Sequence, residues 1–350
     1  MRSGRGFRIR LGLSSIVDMT HRPLFLALSL TGLLASIALA EPSVKLTEME
    51  DRLRIEMNGE LFTDYITKGE ERYFPLFYPV LGPGQVAMTR KYPLEIIPGE
   101  DTDHPHHQSL WFAHSEVNGH SFWAVREYSG KVPGKTVHQK FTKVESGTKE
   151  GSFIAENQYV AGDGTVIMSD TRTVRFLAPS EAKGPRILDI TIAFHASNGE
   201  VTFGDQKDAG MAIRVASDLQ AEKRTEVKDK MLPGGGHLLN SEGIKDKDTW
   251  GKRARWLDAY GEVGGKPVGV AIMDHPKNPR HPTYWHSRTY GLATANVFGK
   301  RHFESLEDPK AGQLIIPAGE TVTFRWRFAF HEGDPEKAKV EELYQAFATE

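Results

Sequence analysis

Val322, Phe324, Trp326, Phe328 and Phe330 alternate with Thr321, Thr323, Arg325, Arg327 and Ala329. A period of two over ten residues puts five large apolar side chains on one face of an extended strand. On a helix the same residues would scatter around the axis. The stretch Leu188, Ile190, Ile192 and Phe194 repeats the pattern against Asp189, Thr191, Ala193 and His195. Turn-forming pairs and triplets punctuate the chain at Asn58-Gly59, Gly162-Asp163-Gly164, Asn198-Gly199 and Gly264-Gly265. Such residues supply the positive φ angles that tight hairpins require. Half-buried strands joined by hairpins, with no helical period between them, predict an all-β chain. The expected form is a mainly antiparallel large β-sandwich, not a set of βαβ units.

One helix is predicted, at the C-terminus, with Asp334 as its cap, Pro335 in its first turn and Val340, Leu343, Tyr344 and Phe347 on one face. It is expected to pack on the edge or back of the sandwich. Met231 to Asp248, with its Pro-Gly-Gly-Gly and alternating Lys and Asp, reads as a solvent loop.

The chain has no cysteine, which excludes disulfides, thiolate metal sites and a cysteine nucleophile. Residues 1–40 read as a signal peptide: Arg22, an apolar run from Leu24 to Leu39, and Ala38-Leu39-Ala40 before Glu41. Met1 and Met19 are both possible starts. The remainder, 41–350, is expected to form a single domain in the periplasm or outside the cell, without a stable membrane anchor after cleavage. Residues 1–40 hold five of the 44 basic and one of the 46 acidic residues, which leaves 39 against 45, about −6. No basic cluster suggests a nucleic-acid partner. A carbohydrate or another small polar substrate is expected.

Chemistry concentrates in Asp103-His104-Pro105-His106-His107-Gln108-Ser109-Leu110-Trp111-Phe112-Ala113-His114, which holds four of the fourteen histidines. Pro105 favours an extended backbone, which would project His104 and His106 to one face and His107 to the other. Two histidines so spaced can share zinc, iron or copper if His114, His286 or an acid adds a third ligand. Without metal, they can serve as acid, base or hydrogen-bond partners, with Asp103 orienting one ring. They can also simply pack against Trp111 and Phe112.

A second block runs from Asp274-His275-Pro276 through Tyr284-Trp285-His286-Ser287-Arg288. Its aromatic rings beside Arg and His suit a sugar, whose C–H faces stack on indole while its hydroxyls bond to charged groups. A third, Gly204-Asp205-Gln206-Lys207-Asp208, presents two carboxylates and an ammonium, either as acid–base groups or as a polar hairpin tip. There is no P-loop, Gly-x-Ser-x-Gly or His-Glu-x-x-His, so nucleotide, serine-esterase and common zinc-protease chemistry lose support.

These blocks, with Tyr78-Pro79-Val80-Leu81-Gly82-Pro83-Gly84, Val117-Asn118-Gly119, the Gly204 to Arg214 stretch and Asn296-Val297-Phe298-Gly299, resemble one secreted bacterial family of unknown function. It carries the label "methane oxygenase PmoA", and the likeness runs from about residue 50 to 348. The membrane subunit of particulate methane monooxygenase needs several apolar spans of about 20 residues, so it is similar in name only and methane oxidation is not implied. The resemblance implies a polysaccharide-degrading context. The expected sandwich is similar to the supersandwich of galactose mutarotases, which line a concave sheet face with histidines and acids.

The leading expectation is a secreted hydrolase, lyase or epimerase acting on carbohydrate in a concave cleft. Its catalytic groups would be drawn from His104, His106, His107, His286, Asp205 and Asp208. Trp111, His114, Lys207, Tyr284, Trp285 and Arg288 would bind substrate. No cofactor is required by this reading. The alternatives are a divalent-metal enzyme centred on His104 and His106, and a non-catalytic glycan-binding module.

Overall fold

The computed structural model describes residues 43–69, 72–179, 184–224 and 230–350. The leader at 1–40 lies outside them. Among the described residues no helix is long and apolar enough to cross a membrane.

Two eight-stranded sheets carry the fold. The site sheet runs, in spatial order, Val44–Glu48, Arg52–Met57, Glu60–Ile66, Leu76–Val80, Leu110–His114, Ala209–Arg214, Leu292–Asn296 and Tyr284–Trp285. The back sheet runs His237–Asn240, Trp256–Val263, Lys266–Asp274, Thr321–Glu332, Arg186–His195, Val166–Leu177, Glu150–Val160 and Lys135–Glu145. The strand pairs of both sheets are antiparallel. The turn signals fall where hairpins form, and Asn58-Gly59 and Gly264-Gly265 adopt positive φ at both positions.

The sheets bury a common core of alternating side chains. Phe62, Phe112 and Met211 from the site sheet meet Phe153, Phe176, Phe194, Phe324 and Phe328 from the back sheet. Each such ring contributes about 1.5–3 kcal/mol on leaving water, so a chain without disulfides can be held by this layer.

Three expectations need correction. The outward face of Thr321–Glu332 is not simply polar: Arg327, Ala329 and His331 are buried along with the apolar set. The C-terminal helix covers that face through Val340, Tyr344 and Phe347, and Arg327 makes a bidentate pair with Asp189 at 2.7 and 2.8 Å. That helix spans Val340–Ala348 and starts later than expected. Asp334 instead accepts the Lys337 amide in a preceding run of turns, because its side chain is used before the helix begins. Finally, Met231 to Asp248 is not all loop. His237–Asn240 joins the back sheet as an edge strand, and Met231–Pro233 pairs with Glu222–Arg224.

Candidate active site

The site is built around two buried arginines. Arg214 ends the central strand Ala209–Arg214, and the Arg90 amide donates to its carbonyl at 3.0 Å. Both guanidinium side chains are fully buried and share one oxygen of Asp103, at 2.5 Å from Arg90 and 3.0 Å from Arg214. Arg90 also donates to the carbonyls of Asp101, His104 and His107, so the 101–107 segment wraps around it. This wrapping overrides the extended geometry expected from Pro105. His104 takes φ +44°, and the His107 amide closes a turn onto the His104 carbonyl at 2.9 Å.

The second oxygen of Asp103 lies 2.6 Å from His104 Nδ1 and 3.3 Å from Arg224. Burial works to raise the Asp103 carboxyl. The His104 hydrogen bond and the Arg214 and Arg90 charges outweigh it and hold the group well below the usual carboxylate range. A carboxylate so fixed orients the His104 ring and presents Nε2 outward, with the side chain 27% exposed.

The rings then stack. His104 lies 4.6 Å from His107 and 5.2 Å from Tyr290, in nearly parallel planes. The guanidiniums of Arg214 and Arg224 sit 4.7 and 4.5 Å from the centre of Tyr290. His107 forms the floor, packed against Trp111 and Trp123. Its Nδ1 accepts from Arg214 at 3.2 Å, which leaves the proton on Nε2. His106 stands edge-on to His107 and beside Trp123. Burial, then the His104 and Arg90 charges, pull its pKa down to about 4, with Asp208 opposing them.

Asp208 connects this turn to the second wall. It precedes the strand Ala209–Arg214, pairs with its neighbour Lys207 at 3.0 Å and lies 3.8 Å from His286 Nδ1. His286 is buried, and its Nδ1–H donates to the Lys207 carbonyl at 2.7 Å. Its Nε2 accepts from Arg288 Nε at 3.2 Å, so the imidazole is neutral. Burial pushes its pKa down to about 4; Asp208 opposes the shift, while Arg288 and Lys207 reinforce it. Arg288 lies 5.3 Å over Trp250.

His104, His106, His107, Lys207, Asp208, His286 and Arg288 therefore share one region of the site sheet. The pleat explains which candidates do not. In Leu110–His114, Leu110 and Phe112 face the core and Trp111 and Ala113 face outward. His114 therefore turns inward, between Phe203 and Phe298, and burial pulls its pKa down to about 3. Trp111 faces the site but is buried beneath His107 and Trp123, without a free stacking face. Trp285 lies in the core and donates Nε1–H to the Ala254 carbonyl at 3.0 Å. Tyr284 shares the outward face with His286. Its ring, however, stacks on Phe303 and its hydroxyl bonds Glu304.

Asp205 is buried elsewhere and accepts the amides of Arg301 and Gly312. Asp274 is also structural: it takes His281 Nδ1, the Asn278 amide side chain and the Thr283 amide.

Arg90, Trp123, Arg214, Arg224, Trp250 and Tyr290 complete the region and were not among the expected site residues. Arg214 ends a quoted stretch and Tyr290 follows the Tyr284 to Arg288 block closely. Arg90 and Trp250 had no local signal, because Arg90 acts through the 101–107 segment and Trp250 through Arg288.

Among the described residues no group of three or more His, Asp or Glu could hold a metal ion. His104 Nδ1 is committed to Asp103, and the His104 and His106 rings are 5.6 Å apart and nearly perpendicular. The donor set does not fit the divalent metal of the alternative reading. Two open grooves flank the neighbouring chain segment. One, of 620 Å³, is lined by Tyr92, Pro105, Gln108 and Arg126. The other, of 850 Å³, is lined by Glu116, His120, Tyr128 and Lys131 and touches none of the clustered residues.

Fold and cluster together define an antiparallel β-sandwich with a histidine, aspartate and arginine site on one sheet. The chain belongs to the family of unknown function DUF6807, whose model matches residues 52–345. That agrees with the resemblance to a family of unknown function and gives the methane-oxygenase label no support. No curated protein matches the chain. Among solved structures it is similar to a galactose mutarotase related enzyme from Lactobacillus acidophilus, at 8% identity and a TM-score of 0.29, covering 83% of this chain and 98% of that one.

Proposed function

We propose that this chain moves a proton on a carbohydrate substrate, as an epimerase or a lyase. The observation that carries the reading is the Asp103–His104 pair, 2.6 Å long, whose outer ring edge reaches solvent beside a second, neutral histidine. A carboxylate on Nδ1 fixes the tautomer with Nε2 as acceptor and stabilises the imidazolium once a proton arrives. In this scheme His104 takes the proton. His106, kept neutral, donates an N–H to the adjacent sugar oxygen, as a neutral imidazole polarises a carbonyl. Lys207 and Arg288 bind substrate oxygens, and Asp208 balances Lys207 and faces His286.

Hydrolysis is the weaker member of the original trio. Glycoside hydrolysis generally uses two carboxyl groups flanking the bond. Here Asp103 is bound by three arginines and His104, and Asp208 is the remaining carboxylate of the catalytic set. The leader read at 1–40 supports a periplasmic or secreted setting, which mass spectrometry of a mature N-terminus at Glu41 would test.

The direct test of the reaction is NMR of free sugars, uronic acids and their glycosides incubated with the full chain in D2O. Deuterium entering one ring carbon, and abolished by His104→Gln, is the expected result. Exchange that persists in His104→Gln, or no exchange or elimination with any of these sugars, overturns the reading.

A further inference from the structure

Arg288 presents a guanidinium fork oriented through one of its nitrogens. Its Nε–H is spent on His286 Nε2 at 3.2 Å, and its Cζ lies 5.3 Å from the centre of the Trp250 ring. His286 is buried and anchored by its other nitrogen to the Lys207 carbonyl, so the imidazole orients the guanidinium without neutralising it. Among the described residues no carboxylate lies within ion-pair distance of Arg288, whereas Lys207 already has Asp208. Arg288 is only partly buried, so its terminal nitrogens can be reached from solvent.

Charge in the surroundings points the same way. Arg90, Arg214, Arg224, Lys207 and Arg288 face Asp101, Asp103, Asp208 and Glu222. Asp103 is saturated by three guanidiniums and His104, Asp101 accepts from Gln220, and Glu222 accepts from Thr289. Of these five cations, Arg288 is the one without a carboxylate at ion-pair distance among the described residues. A planar fork oriented by one hydrogen bond and set over an indole ring matches the two oxygens of a carboxylate, which it can bind bidentately.

We infer that Arg288 receives the carboxylate of an acidic sugar, so that the substrate class is a uronic acid or its glycoside. The inference rests on the carbohydrate reading above and goes further by naming the class. It also suits the proposed chemistry. The hydrogen α to a carboxylate is the most acidic C–H on such a ring, and a guanidinium on that carboxylate stabilises the charge that develops when the proton leaves. The proton passes to His104, and the electron pair stays on the α-carbon and carboxylate. For epimerisation the α-carbon takes a solvent proton on its opposite face and His104 returns its own to water. For elimination the α–β double bond forms as the bond from the β-carbon to its oxygen breaks, and the departing oxygen takes the proton from the His104 imidazolium.

The test is calorimetric titration of the full chain with methyl glucuronide, methyl galacturonide, methyl glucoside and glucose 6-sulfate. At least one uronide should bind more tightly than the glucoside and the sulfate ester. Arg288→Gln should weaken that uronide by about 10–100-fold, the scale of a charge-assisted contact. Arg288→Lys, which keeps the charge but not the fork, should fall between. Unchanged melting of both unliganded variants separates binding loss from misfolding. Equal binding of glucoside and uronide, preference for the sulfate ester, no binding of any probe, or a change under twofold in Arg288→Gln overturns the inference. His104-dependent exchange on neutral sugars, indifferent to Arg288→Gln, would reject this inference and keep the proton-transfer reading. Uronide binding lost in Arg288→Gln without any exchange would do the reverse.

Discussion

Asp103 lies 2.6 Å from His104 Nδ1 through one oxygen while the other is shared by Arg90 and Arg214, both with no exposed side-chain surface. One carboxylate therefore fixes the proposed base and compensates two buried cations. Burying a charge without a partner is costly, and removing one member of such a set is worse than never having built it. Asp103→Asn should therefore lower the unfolding free energy by about 3–5 kcal/mol, read as a lower urea midpoint at unchanged slope. A loss below about 1 kcal/mol would mean that water or a neighbour compensates the arginines.

Acid should weaken the fold in two stages. His106 and His286 titrate near pH 4 and His114 near 3 in the folded chain, in each case chiefly because burial disfavours the charged ring. The unfolded chain binds these protons near pH 6.5, so stability falls from about pH 6.5 down to about 4 for His106 and His286 and to about 3 for His114, and then levels for these groups. His331 runs the other way. Asp258 outweighs its burial and raises its pKa, so its contribution is complete below about pH 6.5 and fades as pH rises through the folded value. Asp103 holds its contribution above the ordinary carboxylate range near pH 4 and loses it only in stronger acid. Urea midpoints measured from pH 8 to 3 would show the first stage, and His114→Phe should flatten part of it. An unchanged slope in that variant would rule out His114 as a contributor.

Asp205 separates what could be read in the sequence from what could not. Its neighbours Lys207 and Asp208 belong to the site, but its carboxylate accepts the amides of Arg301 and Gly312. Asp205→Ala leaves those donors without their acceptor, at about 1–3 kcal/mol each. Stability should fall by roughly that scale, while the pH profile of any activity stays in place. A moved profile with unchanged stability would return Asp205 to the chemistry.

The period of two in Leu188–Phe194 and Val322–Phe330, and the glycine turns, were enough to predict an antiparallel sandwich. Each strand shows which of its faces is buried. The gathering of His104, His106, His107, Asp208 and His286 was legible only as separate blocks, since one strand cannot show which others will flank it. Face assignment near strand ends was the main loss. Trp285 and His114 each lie one pleat from outward-facing neighbours, and both turn inward. Arg90 was invisible, because its role comes from three carbonyls and a carboxylate eleven to seventeen residues away.

Trp285 and Trp123 should therefore behave oppositely when truncated. Trp285 fills the core, so Trp285→Ala should cost about 3–5 kcal/mol and give little specific change in ligand binding once the protein is folded. Trp123 packs beside His106 and His107, with ring centres at 6.0 and 5.9 Å. Trp123→Ala should also destabilise, but it should in addition free the His106 ring and raise its pKa toward the ordinary value as water enters. Histidine NMR of the two variants separates these roles. A His106 shift in Trp285→Ala that matches Trp123→Ala would contradict the assignment.

Asp208 offers the sharpest check that the two histidine segments share one field. Its charge supports the protonated form of both His106 and His286, although the two lie 180 residues apart in sequence. Asp208→Asn should therefore lower both titration midpoints below their values near 4. Arg288→Gln should raise that of His286, since Arg288 disfavours its protonation. The opposite signs exclude a general loosening of the site, which would move every buried histidine upward. Both effects should shrink in high salt at the half-buried Asp208 and persist better at His286, which is shielded from counterions. If Asp208→Asn moves His286 and leaves His106 unchanged, Asp208 belongs to one wall only, and the proposed site loses the residue that joins its halves.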